Sequence, residues 1–256
     1  MAIPIPENEI VLGDAYELIK TLPDASVDCV YTDIPYQMHM GGQGFLKNRK
    51  FKQEIGGFVD GVKPEMWDEV DRVLRKKNLF VWCSKDQIPE LLSRYVGKGW
   101  NFVLLVWCKT NATPFCTNNW LPDIEHCIHF YKDIRLNDGI KLKSKWYVSG
   151  TNVADKKQYL HPTIKPLGLV ERHLQHATQP GDLVLDPFCG SGTTCLAAKE
   201  TGRKYLGFEI DADFHKIAVD RLNGIDASGQ TSIFTDFDKE EPKQLSIFDM
   251  TGGNNE

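Results

Sequence analysis

A short apolar run that leads into a glycine-containing turn constrains this chain more than any other stretch. Residues 183–185 (Leu-Val-Leu) predict a buried strand, and residues 186–193 (Asp-Pro-Phe-Cys-Gly-Ser-Gly-Thr) follow directly. Good helix formers return over residues 194–200 and predict a helix. Gly190 and Gly192 would let a ligand approach the backbone closely. The stretch predicts a cofactor seat, although for a Gly-x-Gly pair alone an ordinary tight turn is the more common outcome.

Strands and helices alternate along the rest of the chain. Strands are predicted at residues 9–12, 27–32, 79–83, 102–108, 127–131 and 205–208, and helices at 15–22, 64–74, 87–96, 167–177 and 211–222. Residues 37–61 form a long polar loop, and residues 132–159 show no strong pattern. This alternation predicts an α/β fold, Rossmann-like, with a mostly parallel, doubly wound sheet.

Composition restricts the location and the organisation of the protein. With 256 residues, 41% of them hydrophobic, residues 1–225 are expected to form one domain with a single core. No segment resembles a membrane span or a signal peptide, so we expect a cytoplasmic protein. Four of the seven cysteines lie in apolar, strand-like runs and are expected to be buried free thiols rather than disulfides or zinc ligands. These are Cys29, Cys83, Cys108 and Cys127.

Charge is distributed unevenly along the chain. Seven acidic residues against two lysines over residues 226–256 account for the whole net charge of −5, and this acidic tail is expected to be disordered. Lys47, Arg49, Lys50 and Lys52 form a basic cluster without acids, and residues 132–157 carry seven bases against three acids. On charge alone, DNA-facing loops and merely solvated loops explain these clusters about equally well.

Acidic residues follow three of the predicted strands, at the edge where parallel sheets bind ligands. They are Asp33, Asp186 and Glu209. Glu209 follows the glycine turn by about 20 residues, the offset at which an acid binds ribose hydroxyls in nucleotide-binding α/β folds. Asp14 also ends a predicted strand, where it would cap a helix or bind an adenine amino edge.

The glycine turn favours one nucleoside cofactor over another. Cys195 occupies the position of the third glycine in the dinucleotide pattern Gly-x-Gly-x-x-Gly. Asp186 would repel a pyrophosphate but would suit the ammonium group of an amino acid. Both features argue against a dinucleotide oxidoreductase and favour S-adenosylmethionine.

The tetrapeptide Asp33-Ile34-Pro35-Tyr36 suits methylation of an exocyclic amine on a nucleobase. The lone pair of such an amine is delocalised into the ring, so acceptors must hold the N–H groups and aim the lone pair at the methyl donor. The Asp33 carboxylate and the Ile34 carbonyl are suitable acceptors, Pro35 stiffens the turn, and Tyr36 offers an aromatic face to a flipped-out base. By itself the tetrapeptide would also fit a proline-kinked strand end with a solvated aspartate.

These motifs resemble the β-class amino-methyltransferases of DNA, in which the catalytic motif precedes the cofactor motif. The similarity covers most of the first 223 residues, including 13–14, 22–23, 26–28, 32–36, 107–111, 125–126, 161–166 and 181–211. It implies the S-adenosylmethionine-dependent methyltransferase fold, a role in restriction-modification, flipping of a base in double-stranded DNA, a possible homodimer, and a target-recognition segment at 132–160. It also implies cofactor contacts from Asp14, Asp186, Phe188, Gly190, Gly192, Thr193 and Glu209, with Thr163 and Lys165 near the methionine end.

One residue departs from the family pattern. Ile34 stands where these enzymes usually have proline, which leaves the backbone less constrained but keeps the carbonyl acceptor. Asp33, where a serine is the other option, resembles the adenine-N6 branch. Cytosine-N4 methylation and a DNA-binding homologue with impaired catalysis are the alternatives.

Two further motifs lie outside the proposed chemistry. Residues 125–129 (Glu-His-Cys-Ile-His) do not match the zinc pattern His-Glu-x-x-His, and on a strand their histidines would face opposite ways, so no metal site is expected. The tail contains two similar pentapeptides, 230–234 and 244–248. Gln244, Leu245, Ser246, Ile247 and Phe248 resemble the peptide that docks on the bacterial sliding clamp, and packing of these apolar residues onto the domain is the alternative.

Overall fold

A computed structural model describes residues 5–36, 61–112, 120–137, 143–151 and 164–226. The strands are β1 (Glu9–Leu12), β2 (Cys29–Asp33), β3 (Asn78–Cys83), β4 (Asn101–Lys109), β5 (Ile124–Tyr131), β6 (Trp146–Ser149), β7 (Leu183–Asp186) and β8 (Lys204–Glu209). The helices are α1 (Ala15–Leu18), extended by a 3-10 helix (Ile19–Thr21), α2 (Pro64–Val73), α3 (Ile88–Gly97), α4 (Leu167–Ala177), α5 (Thr193–Glu200) and α6 (Ala212–Leu222). None of these helices is long and apolar enough to span a bilayer.

The strands form one sheet in the order β1-β8-β7-β2-β3-β5-β4-β6. β5 runs antiparallel to both of its neighbours, and the other pairs are parallel. Helices cover both faces: Trp67 of α2 and Leu91 of α3 belong to one core with Val81, whereas Leu174 of α4 belongs to another with Tyr31. The predicted α/β fold with a mostly parallel, doubly wound sheet is confirmed.

The candidate site lies at the switch point of this sheet. β7 and β2 are neighbours, but the chain continues from β7 to β8 on one side and from β2 to β3 on the other. The connections therefore diverge and leave a crevice at the carboxyl ends of the central strands, where α/β proteins bind ligands. Asp33 ends β2 and Asp186 ends β7, so both carboxylates belong to this edge.

Most predicted elements are present with shifted ends, and residues 132–159, for which no element was predicted, contain one more strand. That segment contains the edge strand β6, which pairs with β4 over four residues and is fixed by a 2.9 Å hydrogen bond from the Trp107 indole to the Ser149 hydroxyl. A four-residue strand at a sheet edge carries too little periodicity to be recognised.

The prediction for the cysteines also needs one correction. Cys29, Cys83 and Cys127 are buried and free, but Cys108 is only half-buried. It shares the face of β4 with Phe102 and Leu104, which are 42% and 41% exposed. Alternate residues of this strand therefore face solvent.

Candidate active site

The tetrapeptide Asp33-Ile34-Pro35-Tyr36 leaves the sheet as β2 ends, and its backbone is held from β3. The Ile34 N–H donates to the Trp82 carbonyl at 3.3 Å, a bond that proline could not make. The Gln87 amide donates to the Pro35 carbonyl at 3.0 Å. Ile34 itself is buried in the core beside α2 and α3. The isoleucine therefore does not loosen this turn, because a hydrogen bond and core packing replace the constraint of the proline ring.

Asp33 is paired with Lys165, the residue just before the first turn of α4. The Lys165 ammonium donates to Asp33 Oδ2 and lies 5.8 Å from the ring centre of Tyr36. Asp33 Oδ1 is buried and accepts no hydrogen bond of regular geometry within the described residues, although the Tyr36 hydroxyl lies close enough to interact with the Asp33 carboxylate. Burial raises the pKa of Asp33, although the charge of Lys165 opposes this shift. One carboxylate oxygen is thus held by a cation and the other is left to accept.

Lys165 also contacts a second acid. Its ammonium lies 3.0 Å from Glu125 on β5, and Glu125 in turn lies 2.6 Å from Lys109 on β4. Burial lowers the pKa of Lys165, but the two carboxylates outweigh it and raise this pKa well above its usual value. Burial acts to raise the pKa of Glu125, but the charges and hydrogen bonds of Lys165 and Lys109 outweigh burial and lower this pKa to about 2. Lys165 and Glu125 are therefore both charged at neutral pH.

The glycine turn is held by Glu209 at the end of β8. Glu209 accepts the Gly190 N–H at 2.8 Å and the Asp211 N–H at 2.9 Å, one on each carboxylate oxygen. An ionised carboxylate has about four acceptor positions, so capacity for ribose hydroxyls remains. Gly190 and Gly192 have φ of 49° and 74°, which favours glycine, and a Cβ on Gly192 would lie 3.0 Å from Ala218. Thr193 begins α5.

Asp186 lies beside this turn in a position that a cation would stabilise. It is almost fully buried, and it accepts the Phe188 N–H at 3.2 Å. Burial raises the pKa of Asp186 to about 7, although hydrogen bonds from Thr194 and Phe188 oppose the shift. A buried carboxyl group with a raised pKa gains stability when a positive charge binds next to it.

The remaining predicted residues fall into two groups. The Asp14 carboxylate caps α1 by accepting the Tyr16 N–H at 2.8 Å, and the Gly13 N–H donates to the Glu209 carbonyl at 2.8 Å, so Asp14 lies next to the cofactor edge. The ring centroids of Tyr16 and Phe188 are 6.4 Å apart, and the two rings pack edge to face at this cofactor edge. Thr163, the 37–61 loop except Gly61, parts of the 132–160 segment and the tail peptides lie outside the described residues.

Three contributors to the site were not identified as such from the sequence. Lys109 and Glu125 lie in stretches 107–111 and 125–126 that share the family similarity, but their roles became visible only through their ion pairs. Arg221 of α6 is buried and donates to the Thr193 hydroxyl at 2.7 Å and the Ser191 carbonyl at 3.2 Å, which braces the glycine turn from behind. In the sequence, the only indication of this role is an arginine among the apolar residues of a predicted helix.

The two halves of the edge have complementary chemistry. The Asp186 and Glu209 side offers acidic groups and a close-approach turn, which suits a cationic nucleoside. The Asp33 side offers a buried acceptor oxygen beside aromatic rings, which suits a planar group that carries N–H donors. Asp33 raises the pKa of Asp186 further by charge repulsion, so the two carboxylates sense each other across the crevice.

Known proteins are similar to this chain over most of its length. A family model described as DNA methylase matches residues 27–220. The type II methyltransferase M2.DpnII of Streptococcus pneumoniae is 29% identical over 244 residues, covering 84% of this chain and 90% of that protein. M2.LlaDCHI of Lactococcus lactis subsp. cremoris, also a type II methyltransferase, is 28% identical over 251 residues, covering 85% and 90%. The crystal structure of an M1.HpyAVI-SAM complex shares 26% identity with a TM-score of 0.64, covering 84% of this chain and 98% of that one.

Proposed function

The chain belongs to the DNA methylase family, and from this premise we propose that it transfers a methyl group from S-adenosylmethionine to the exocyclic N6 of adenine in double-stranded DNA. The observation that carries the proposal is the carboxylate of Asp33. One of its oxygens is paired with Lys165, and the other is buried and accepts no hydrogen bond of regular geometry within the part of the chain that the structure describes. A buried acceptor left in this way is costly unless a donor arrives, and an amino group supplies one.

S-adenosylmethionine supplies the electrophilic methyl group, and the glycine-turn side fits it. Glu209 would hold the ribose hydroxyls, and the open backbone at Gly190 and Gly192 would admit the nucleoside. Asp186 would face the amino-acid ammonium, which favours the ionised form of this buried group. Phe188 would contribute an apolar contact.

On the target side, the protein must localise the amine lone pair. Asp33 Oδ1 and the Ile34 carbonyl would each accept one N–H of the amino group, which draws the nitrogen towards a tetrahedral arrangement. Tyr36 would stack on the flipped-out base. Since the positive charge of the methyl donor is neutralised as the bond forms, the protein contributes mainly positioning and electrostatics.

Asp33 also carries the proposed choice of base. An aspartate at this position resembles the adenine-N6 branch of the family. The alternative, methylation of cytosine N4, would use the same two acceptors, so the resemblance and not the acceptors favours adenine. Nucleoside mass spectrometry of DNA from cells that express the protein, with sequencing-based mapping of modified positions, identifies base and recognition sequence together. Detection of N4-methylcytosine without N6-methyladenine would contradict the adenine assignment.

The residue-level test is Asp33→Ala. We expect methyl transfer to unmethylated DNA to fall by about 100–1000-fold, because an electrostatic contact made to the reacting group is lost. Binding of S-adenosylmethionine, measured by calorimetry, should stay within about twofold of wild type, since Asp33 lies on the target side. Near-normal turnover in this variant would refute the assignment, and a wild-type chain that binds DNA without methylating it would point to an impaired homologue.

A further inference from the structure

Four charged side chains from four separate segments form an alternating line that leads into the site. The order is Lys109 on β4, Glu125 on β5, Lys165 before α4, and Asp33 at the end of β2. The Lys109–Glu125 and Glu125–Lys165 pairs measure 2.6 and 3.0 Å. The side chain of Lys165 is only 10% exposed, so it is too buried to rely on water for its solvation. The line is neutral as a whole.

Lys165 occupies the centre of this line and is enclosed on several sides. Besides the two carboxylates, its ammonium faces the ring of Trp82 at 5.3 Å and that of Tyr36 at 5.8 Å. Trp82 is fixed in turn, because its indole N–H donates to the Tyr31 hydroxyl at 3.0 Å. Displacing the ammonium would leave buried charges uncompensated, which is costly. Lys165 is therefore a permanent part of the target side.

The shared ammonium has a consequence for Asp33. A lysine that faced Asp33 alone would neutralise it more fully and weaken its acceptance of a substrate N–H. Glu125 draws the same ammonium towards itself and adds a negative charge behind it, whereas Lys109 keeps Glu125 in place and ionised. Lys165 opposes the rise in the pKa of Asp33 that burial causes, and Glu125 limits how far Lys165 neutralises the Asp33 carboxylate, so its second oxygen stays strongly accepting.

We propose that Glu125 is a positioning residue for methyl transfer, which shares the Lys165 ammonium with Asp33 and so preserves Asp33 Oδ1 as the acceptor for the substrate amine. The inference rests on the proposed function, because it assigns the amine to Asp33. Lys109 supports it as the counterion of Glu125.

Several other titratable groups face Asp33 and share its electrostatics. They are Tyr31 on β2, Tyr36 after it, Cys83 on β3, Cys127 on β5 and Asp186 on β7. Burial raises the pKa of each of them, so the thiols and phenols stay neutral below about pH 9, and Asp186 is the one that titrates near neutrality. Because Asp186 also titrates near neutrality, the titration of Asp33 must be followed at the Asp33 carboxyl group itself.

The test compares Glu125→Gln with Lys165→Met, because the two changes shift the charge in opposite directions. In Glu125→Gln we expect kcat to fall by about tenfold with unchanged cofactor affinity, and the acidic limb of the kcat–pH profile to move to lower pH. In Lys165→Met the acidic limb should move to higher pH, because Asp33 loses its cation. Asp123→Asn, which removes a negative charge two residues away, should leave activity and profile unchanged.

A purely structural role for Glu125 would lower activity or stability without moving the acidic limb, and that result would overturn the proposal. Carbon-13 NMR of the Asp33 carboxyl group, assigned with Asp33→Asn, follows the same titration without DNA. It distinguishes the two proposals: if wild type methylates no DNA base, the proposed function fails, whereas an Asp33 titration that ignores Glu125→Gln refutes the positioning role. A downward shift in Glu125→Gln and an upward shift in Lys165→Met support it.

Discussion

The two sides of the crevice are built on different principles. On the cofactor side, the glycine turn is held largely by backbone N–H groups, two of which converge on Glu209. On the target side, Asp33 is held by a line of three charged side chains that come from three other, distant segments of the chain. The first design fixes a shape for a ligand to enter, and the second sets the charge of a reacting group. The two sides should therefore fail in different ways when they are altered.

The largest separable effect is expected from Glu209→Gln. The glutamine amide would turn a donor towards either the Gly190 or the Asp211 N–H, so one of these N–H groups loses its acceptor and a ribose contact weakens. A loss of about 2–3 kcal/mol corresponds to a roughly 30–140-fold rise in Kd for S-adenosylmethionine. Calorimetry gives this value. Asp211→Asn is the matched control, because asparagine caps α6 equally well.

An equal rise in Kd for both variants would show that the shape of the turn, and not Glu209 itself, governs the affinity. The comparison would also break if Glu209→Gln shifted the titration of the Asp33 carboxyl group, since that property belongs to the target side.

A smaller effect is expected where α5 crosses β8. A Cβ on Gly207 would lie 2.8 Å from Cys195 Sγ and 3.1 Å from Cys189 Sγ, so Gly207→Ala should destabilise the fold by about 1–3 kcal/mol. Gly97, at the end of α3, has open space around its Cβ position, and Gly97→Ala should be neutral or stabilising by up to about 1 kcal/mol. Urea unfolding of the cofactor-free protein measures both. Equal stabilities would contradict the close helix–strand contact.

The smallest effect concerns pH. Since burial raises the pKa of Asp186 to about 7, the carboxylate form that suits a cationic ligand is the minor form at pH 6 and the major form at pH 8. Affinity for S-adenosylmethionine should therefore increase with pH across this range, by up to about tenfold. In Asp186→Asn the residual pH dependence should be flat or come from the ligand alone. An unchanged pH dependence in this variant would remove Asp186 from the ammonium site.

The sequence anticipated the cofactor side better than the target side. Residues 183–209 contain the strand, turn, helix and second strand in succession, so the site residues are neighbours in sequence and their spacing carries the information. Asp33 and its tetrapeptide were also predicted. The partners of Asp33 were not, because ion pairs between residues up to 132 positions apart leave no periodic signal. The short edge strand β6 was not predicted for a related reason, because it is defined by its pairing with β4.

The missing third glycine shows where sequence information ends. The sequence determined that Cys195 departs from the dinucleotide pattern, and this departure pointed away from a pyrophosphate. Only the tertiary structure shows that the close approach of helix and strand is preserved by Gly207, which lies opposite on β8. Local propensity and spacing determine strands, turns and the chemistry carried on them, because these depend on neighbouring residues. Which side chains share a charge or a contact is decided by packing between distant segments, and only the folded chain brings them together.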